Sequence, residues 1–236
     1  MHYINTFVKK ELESTPDPSG QDNREALAKF DFIKTTFKNP EVANFLMYST
    51  LKQHIQYEGA NGTQELLDIF NASSNNENHK ADVLKDYSIW KNLAEGKAAP
   101  TFNYADINGK LVGLENFKGK YVYIDVWATW CGPCRQELPD LEELQEEYKE
   151  SDKIVFTSIS IDQDTNAWRK MVTEQQMKGV QLLADNAWQS SIVRDYKING
   201  IPRFLLIGPD GNIISVNAPR PSSERIKAKL AYLIKS

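Results

Sequence analysis

Cys131 and Cys134, within Trp130-Cys131-Gly132-Pro133-Cys134, are the only cysteines among 236 residues. Two thiols three positions apart can share a metal, close a staple, or exchange electrons with another disulfide. A closed structural zinc site takes about four ligands. The sequence offers no second cysteine pair, and His2, His54 and His79 all lie far upstream, so a metal would have to be completed by carboxylates. No metal is expected here. A staple is poorly placed, because closing a four-residue loop gives about 2 kcal/mol against roughly 4.7 for a hundred-residue loop. Exchange is the use that needs this spacing: one thiolate attacks a partner disulfide and its neighbour resolves the mixed disulfide.

The flanking residues supply the setting. Tyr121–Trp127 is β-branched and aromatic, and predicts a buried strand. After the cysteines, Leu138, Leu141, Leu144 and Tyr148 recur at helical spacing. The pair thus falls where a strand turns into a helix, with Cys131 in the first helical turn. Unpaired N–H groups and the positive end of the helix dipole stabilise a thiolate there. Such a position can lower a cysteine pKa from about 8.5 into a range of roughly 3.5–7.5. Cys134, one turn further in, is the natural resolving thiol. Pro133 stiffens the turn, and Gly132 lets a partner chain come close. Arg135 is a nearby cation that either tunes the thiols or is simply solvated.

These elements belong to a chain long enough for two unequal domains. Its hydrophobic content of 41% can build real cores, and its net charge of -4, without a sustained basic patch, argues against nucleic acid as a partner. The apolar runs, such as 204–208, are strand-sized and far short of a membrane span. Residues 1–5 lack a basic stretch followed by an apolar one, so no signal peptide is expected.

The N-terminal part, 1–96, reads as all-helical. Asn39-Pro40-Glu41 is a helix start, with Val42, Phe45, Leu46, Ser49 and Ile55 as one expected apolar face. Segments 24–37, 63–70 and 78–93 are further helices, and 15–20 and 71–78 are loops rich in turn formers. His54 and His79 read as surface or packing residues. From 97 to 236 strands alternate with helices. Asp106-Ile107-Asn108-Gly109-Lys110 and Pro209-Asp210-Gly211 signal hairpins, and 154–161 and 204–207 are strands. Helical stretches 165–177 and 187–196 flank a short apolar piece at 180–183, and Ile226, Leu230, Leu233 and Ile234 mark a closing helix capped by Ser222 or Ser223. The expected class is α/β, a mixed central sheet flanked by helices, preceded by the helical domain.

The stretch Tyr123-Ile124-Asp125-Val126-Trp127-Ala128-Thr129-Trp130, the cysteine motif and Pro139 together resemble the thioredoxin superfamily. The resemblance implies a thioredoxin-like fold and a redox-active disulfide, Cys131–Cys134, with no other cofactor. Asp125, six residues before Cys131, matches the family's buried carboxylate, which exchanges a proton with the inner thiol. Pro139 matches the helix-kinking proline. Gly200-Ile201-Pro202 resembles the cis-proline loop, whose backbone pairs with a substrate chain. Trp130, Gly132, Pro133, Ile201 and Pro202 are thereby expected to bind the client. Arg203 joins them as a departure, since thioredoxins carry a small polar residue there.

Two further features point to a subfamily. An inserted helix–strand–helix lies between Ile161 and Gly200, and the entry runs from Ala99-Pro100-Thr101-Phe102 to Lys118-Gly119-Lys120. Together they resemble the TlpA/ResA-like, redoxin-type thiol–disulfide oxidoreductases of Bacteroidetes with an N-terminal helical domain. The resemblance implies protein thiol clients kept reduced, an upstream electron donor, and a periplasmic setting, the chain then lacking its export signal or anchor; a cytoplasmic setting is the alternative. Two other functions are weighed. A thiol peroxidase is suggested by the redoxin-type entry, but Thr129 stands two residues before Cys131 and the Pro of the peroxiredoxin Pro-x-x-x-Thr-x-x-Cys frame is missing. The other is a partner-binding module with vestigial redox activity.

Overall fold

A computed structural model of the chain describes residues 4, 6, 8 and 23–235. His2, the loop expected at 15–20 and, Ile4 apart, the start at 1–5 lie outside the described residues. The chain divides into two compact units, Met1–Ala94 and Glu95–Ser236. None of the described helices is long and apolar enough to cross a membrane.

The first unit is helical. Helices α1 (Arg24–Thr36), α2 (Pro40–Glu58), α3 (Thr63–Ser73) and α4 (Glu77–Trp90) follow one another, and a 3-10 turn, Lys91–Leu93, ends the run. Asn39 caps α2: its side-chain oxygen accepts from the N–H groups of Glu41 (2.9 Å) and Val42 (3.3 Å), and Pro40 needs no partner in the first turn. Asn76 caps α4 by accepting from His79 N–H at 3.1 Å.

The buried stripe of α2 shares Ile55 with the expected one and otherwise differs from it. Met47, Thr50, Leu51, His54 and Ile55 are buried, whereas Val42 and Phe45 are exposed. Two helical faces were available from the sequence, and the stripe through Met47 and Leu51 is the one that finds neighbours. His54 packs inside, its Nε2 3.2 Å from the Asn61 carbonyl oxygen. His79 stacks on Tyr48 with ring centroids 4.0 Å apart. Lys52 ties α2 to α4 through Asp82 (2.8 Å) and Asp86 (2.6 Å).

The second unit is built on a seven-stranded mixed sheet in the order β2-β1-β5-β4-β3-β6-β7. The strands are β1 (Asn103–Asp106), β2 (Leu111–Gly113), β3 (Tyr121–Trp127), β4 (Ile154–Ser160), β5 (Val180–Leu183), β6 (Arg203–Ile207) and β7 (Ile213–Ser215). Parallel pairing joins β3 to β4 and β4 to β5; β6 runs antiparallel to β3. The expected hairpins both form. Asp106 Oδ1 accepts from Asn108 N–H (2.8 Å) and Lys110 N–H (2.9 Å) around Gly109, whose φ of 84° needs a glycine. The other hairpin joins β6 to β7.

Helix α5 (Gly132–Glu147) follows β3, α6 (Thr165–Glu174) follows β4, and α8 (Glu224–Lys235) closes the chain, with the Ser223 hydroxyl accepting from Arg225 N–H at 3.3 Å. Leu141 and Leu144 of α5 and Ile226 and Leu230 of α8 pack on Tyr123, Phe156, Phe204 and Leu206, which defines the sheet face these two helices cover. The helix expected at 187–196 is instead a 3-10 turn, Ala187–Gln189, followed by the five-residue helix α7 (Ser191–Asp195). Asn186 (φ 57°) and Ala187 (φ 47°) leave the helical region, and Ser190 (φ -63°, ψ 156°) is extended, so a continuous helix cannot run through.

Replacing the α2 cap is the direct check on the helical unit. Asn39→Ala lowers its stability by about 1 kcal/mol, and Asn39→Asp recovers most of the loss. Urea unfolding followed by far-UV circular dichroism reads both.

Candidate active site

Strand β3 carries the site to one end of the sheet. Six of its seven residues are buried, Val122 to Trp127, because both neighbours in the sheet and the covering helices exclude water. Side chains alternate along a strand, so Asp125 shares the face of Tyr123 that α5 and α8 cover. Ser158, opposite Asp125 in the β3–β4 register, lines a cavity of about 180 Å³ beneath Leu138 and Leu141 of α5. The buried stripe of α5 is Cys134, Glu137, Leu141 and Leu144. Cys134 and Glu137 therefore lie on the helix face turned toward the strand surface that carries Asp125.

Cys131 is the N-cap of α5 and not a member of its first turn. Its Sγ accepts from Cys134 N–H at 3.2 Å, while Arg135 N–H donates to the Cys131 carbonyl at 3.1 Å. The two cysteines are closed as a disulfide with Cα atoms 5.3 Å apart. Both are buried, and Gly132 and Pro133 between them are exposed. A sulfur at this position meets the unsatisfied N–H groups and the positive end of a sixteen-residue helix. Pro139 sits inside α5 and removes one helical donor. Arg135 is exposed.

Asp125 is the electrostatic anomaly of this end. Its residue exposure is 3%, and its Oδ1 has no hydrogen-bond partner among the described residues. Burial raises its carboxyl to about 8 from an ordinary value of 3.8, and the charge of Glu137 pushes the same way. Glu137 itself is buried but anchored: it accepts from the Ser222 N–H and hydroxyl, each at 3.1 Å, with Arg220 Nη1 at 3.5 Å.

Strand register brings the other predicted residues to the same end. Arg203 pairs with Val126, so the preceding Ile201–Pro202 peptide, which is cis, lies beyond the C-terminal end of β3 from which the cysteine loop springs. Ile201 and Pro202 are half-buried, and Trp130 is exposed. Arg203 does not join this rim. It is buried at the start of β6, with Nη2 3.5 Å from Asn199 Oδ1.

Three residues here were not singled out by spacing. Glu137 looked like one of many charged positions on a polar helix. Asp162 is buried after β4, and its carboxylate accepts from Thr129 N–H (2.9 Å), Thr129 hydroxyl (2.7 Å) and Ser160 hydroxyl (2.6 Å). It clamps the residue that leads into Trp130 and Cys131. Trp188, from the inserted segment, stands with its ring centroid 6.4 Å from that of Trp130. The signal available for Asp162 was an acid two residues past a strand-end serine, which is weak by itself. Among the described residues no group of three or more His, Cys, Asp or Glu side chains is disposed to hold a metal ion.

The redoxin family profile matches residues 94–232. The thiol-disulfide oxidoreductase ResA of Bacillus cereus is 31% identical over 144 residues, which cover 61% of this chain and 81% of the relative. Among solved structures, a Bacteroides vulgatus protein provisionally described as a thiol-disulfide oxidoreductase shares 38% identity with a TM-score of 0.56, covering 60% of this chain and 98% of that one. The thioredoxin domain of another thiol-disulfide oxidoreductase from Bacteroides vulgatus shares 28% identity with a TM-score of 0.54, again over 60% of this chain and 98% of that one. The profile spans more than half of the chain, with the cysteine pair, the cis-proline loop and the sheet inside it: the chain belongs to the redoxin family, as a TlpA/ResA-like thiol–disulfide oxidoreductase of the thioredoxin superfamily.

Proposed function

We propose that the chain reduces disulfides of protein clients outside the cytoplasm, with the chemistry confined to a domain over 97–236 that follows a helical domain over 1–96. The observation that carries this reading is a disulfide capping the N-terminus of α5 above a buried carboxyl with an unpartnered oxygen. The names of the relatives support the exchange chemistry, and the resemblance of Gly132-Pro133 to reducing thioredoxins supports the direction of electron flow.

The cycle starts from the dithiol. The Cys131 thiolate, stabilised by the N-terminus of α5, attacks one sulfur of a client disulfide. The other client sulfur leaves as a thiolate, and Cys131 holds the client in a mixed disulfide. Cys134 then gives its proton to Asp125 and attacks Cys131 Sγ, which releases the second client thiolate and closes Cys131–Cys134. Two electrons have passed to the client, and the proton rests on Asp125. The raised pKa of about 8 in the disulfide form fits that end state, because most of the carboxyl is then protonated at neutral pH. An upstream dithiol donor reverses the sequence, with Asp125 returning the proton to Cys134. Trp130, Gly132 and Pro133 form the exposed approach, and Ile201 and Pro202 offer backbone to the client chain. Arg203, buried beneath them, supports the loop from below.

Cys134→Ser, exposed to an extract of the cell envelope, is expected to accumulate clients as mixed disulfides on Cys131. If it retains none where a thioredoxin with the same substitution traps its own clients, the exchange function is wrong.

Asp125→Asn is expected to slow resolution of the mixed disulfide by on the order of 10², read by stopped-flow fluorescence. It also changes stability. The folded carboxyl titrates near 8 against 3.8 ordinarily, so the folded state holds the proton more tightly. The resulting stabilisation is complete below about pH 4 and declines as pH rises toward 8, by at most about 1.4 kcal/mol per pH unit. Denaturant unfolding of the oxidised protein should show that slope for the wild type relative to Asp125→Asn.

A further inference from the structure

We propose that Trp188 and Trp130 form an aromatic clamp that selects client segments with a bulky apolar residue beside the reactive cysteine and a basic residue further along. The inference rests on the exchange reading above and names the substrate class of that same site.

Trp130 is 59% exposed and Trp188 38% exposed, with ring centroids 6.4 Å apart and planes inclined by 42°. An indole is among the side chains that gain most from leaving water. Two left open side by side, one of them next to Cys131 in the chain, mark a surface used by a partner. The backbone that presents Trp188 opposes its own preference. Asn186 and Ala187 both adopt positive φ, 57° and 47°, and alanine has no local means of relieving that conformation. Such backbone persists where its surroundings hold it, and it concentrates at functional positions. Here the surroundings do hold it. Ala187 is buried, Gln189 N–H donates to Asn186 O at 2.8 Å, and Ser190 N–H donates to Ala187 O at 3.0 Å. Tyr104 fixes the next turn: its hydroxyl accepts from Ile192 N–H at 2.8 Å and lies 2.7 Å from Ser191 Oγ.

What occupies the clamp follows from where the surface leads. A groove of about 640 Å³ is lined not by the indoles themselves but by Ala187 and Gln189, the chain neighbours of Trp188, and by Gln163, Asp185 and the exposed Leu111. The charged residues of its wall are Asp162 and Asp185, and no Lys or Arg lines it among the described residues. Asp162 is already committed to Thr129 and Ser160, so Asp185, exposed, sets the sign that a client meets. Aromatic faces followed by an acidic wall fit an apolar side chain followed by a cation.

The test uses the intact, pre-reduced protein and three disulfide-closed peptides that differ only beside and beyond one cysteine: Leu with Lys, Ser with Lys, and Leu with Glu. Second-order rates of reduction are read by quenched flow and mass spectrometry. The wild type should reduce the Leu–Lys peptide about tenfold faster than either of the others, the scale of one good aromatic or charge contact. Trp188→Ala should bring the Leu and Ser rates together, Trp188→Phe should keep most of the difference, and Asp185→Lys should reverse the Lys over Glu preference. Equal wild-type rates on the three peptides, or a Leu preference that survives Trp188→Ala, would overturn the clamp while leaving the exchange chemistry intact. A wild type that reduces none of them would overturn both.

Discussion

The constraint on which the site depends is a carboxyl kept away from water. Asp125 sits on the interior strand β3, between parallel β4 and antiparallel β6, under a helix that begins at the cysteines. Burying a charged carboxylate without partners is prohibitive, so such a group neutralises by shifting its pKa. That shift turns a structural liability into a proton store within the working range of thiols. In the proposed cycle the helix N-terminus favours negative charge on sulfur, and the carboxyl is the group that would receive the proton that sulfur gives up. Neither feature does the chemistry alone.

The rest of this end of the unit holds those two features in register. Asp162 pins Thr129 just ahead of the cysteine loop, and Glu137 anchors α5 to the segment at Ser222. The second anchor has an electrostatic consequence, since the charge of Glu137 adds to the burial that lifts Asp125. The β3–β6 register places the cis-proline loop beside the turn that carries the sulfurs. The inserted segment reaches the same end and leaves Trp188 near Trp130. Local backbone cost and exposed indoles are concentrated at the end of the sheet that carries the cysteines, while the sheet face of Tyr123, Phe156 and Leu206, which Asp125 shares, is conventional core beneath α5 and α8.

Much of this was legible in the chain. The cysteine pair, the buried strand before it, the helix after it and the two hairpins follow from residue types and short spacings, because each is a local decision. The thioredoxin-like architecture followed from resemblance and not from periodicity, and the order of the sheet was not read from the sequence. What escaped local reading has a common physical cause. Asp162 with Thr129, and Glu137 with Ser222, are contacts across 33 and 85 positions of sequence, which no window of helical or strand period contains. The segment at 187–196 has helical composition, yet Asn186 and Ala187 take positive φ in a turn that buries Ala187, and the helix that follows is anchored by Ile192 N–H on the Tyr104 hydroxyl, 88 positions away. On α2, Val42 and Phe45 matched a helical stripe as well as Met47 and Leu51 did, and only packing chose between the two.

The central claim is that Asp125 holds the proton in the disulfide form. Its side-chain carboxyl carbon, labelled with ¹³C and followed by NMR through a pH titration of the oxidised protein, reports this directly, with Asp125→Asn assigning the signal. The account predicts a midpoint near 8 for this one aspartate. A midpoint near the ordinary aspartate value of about 4 would contradict it, and with it the role given to the buried carboxyl in disulfide exchange.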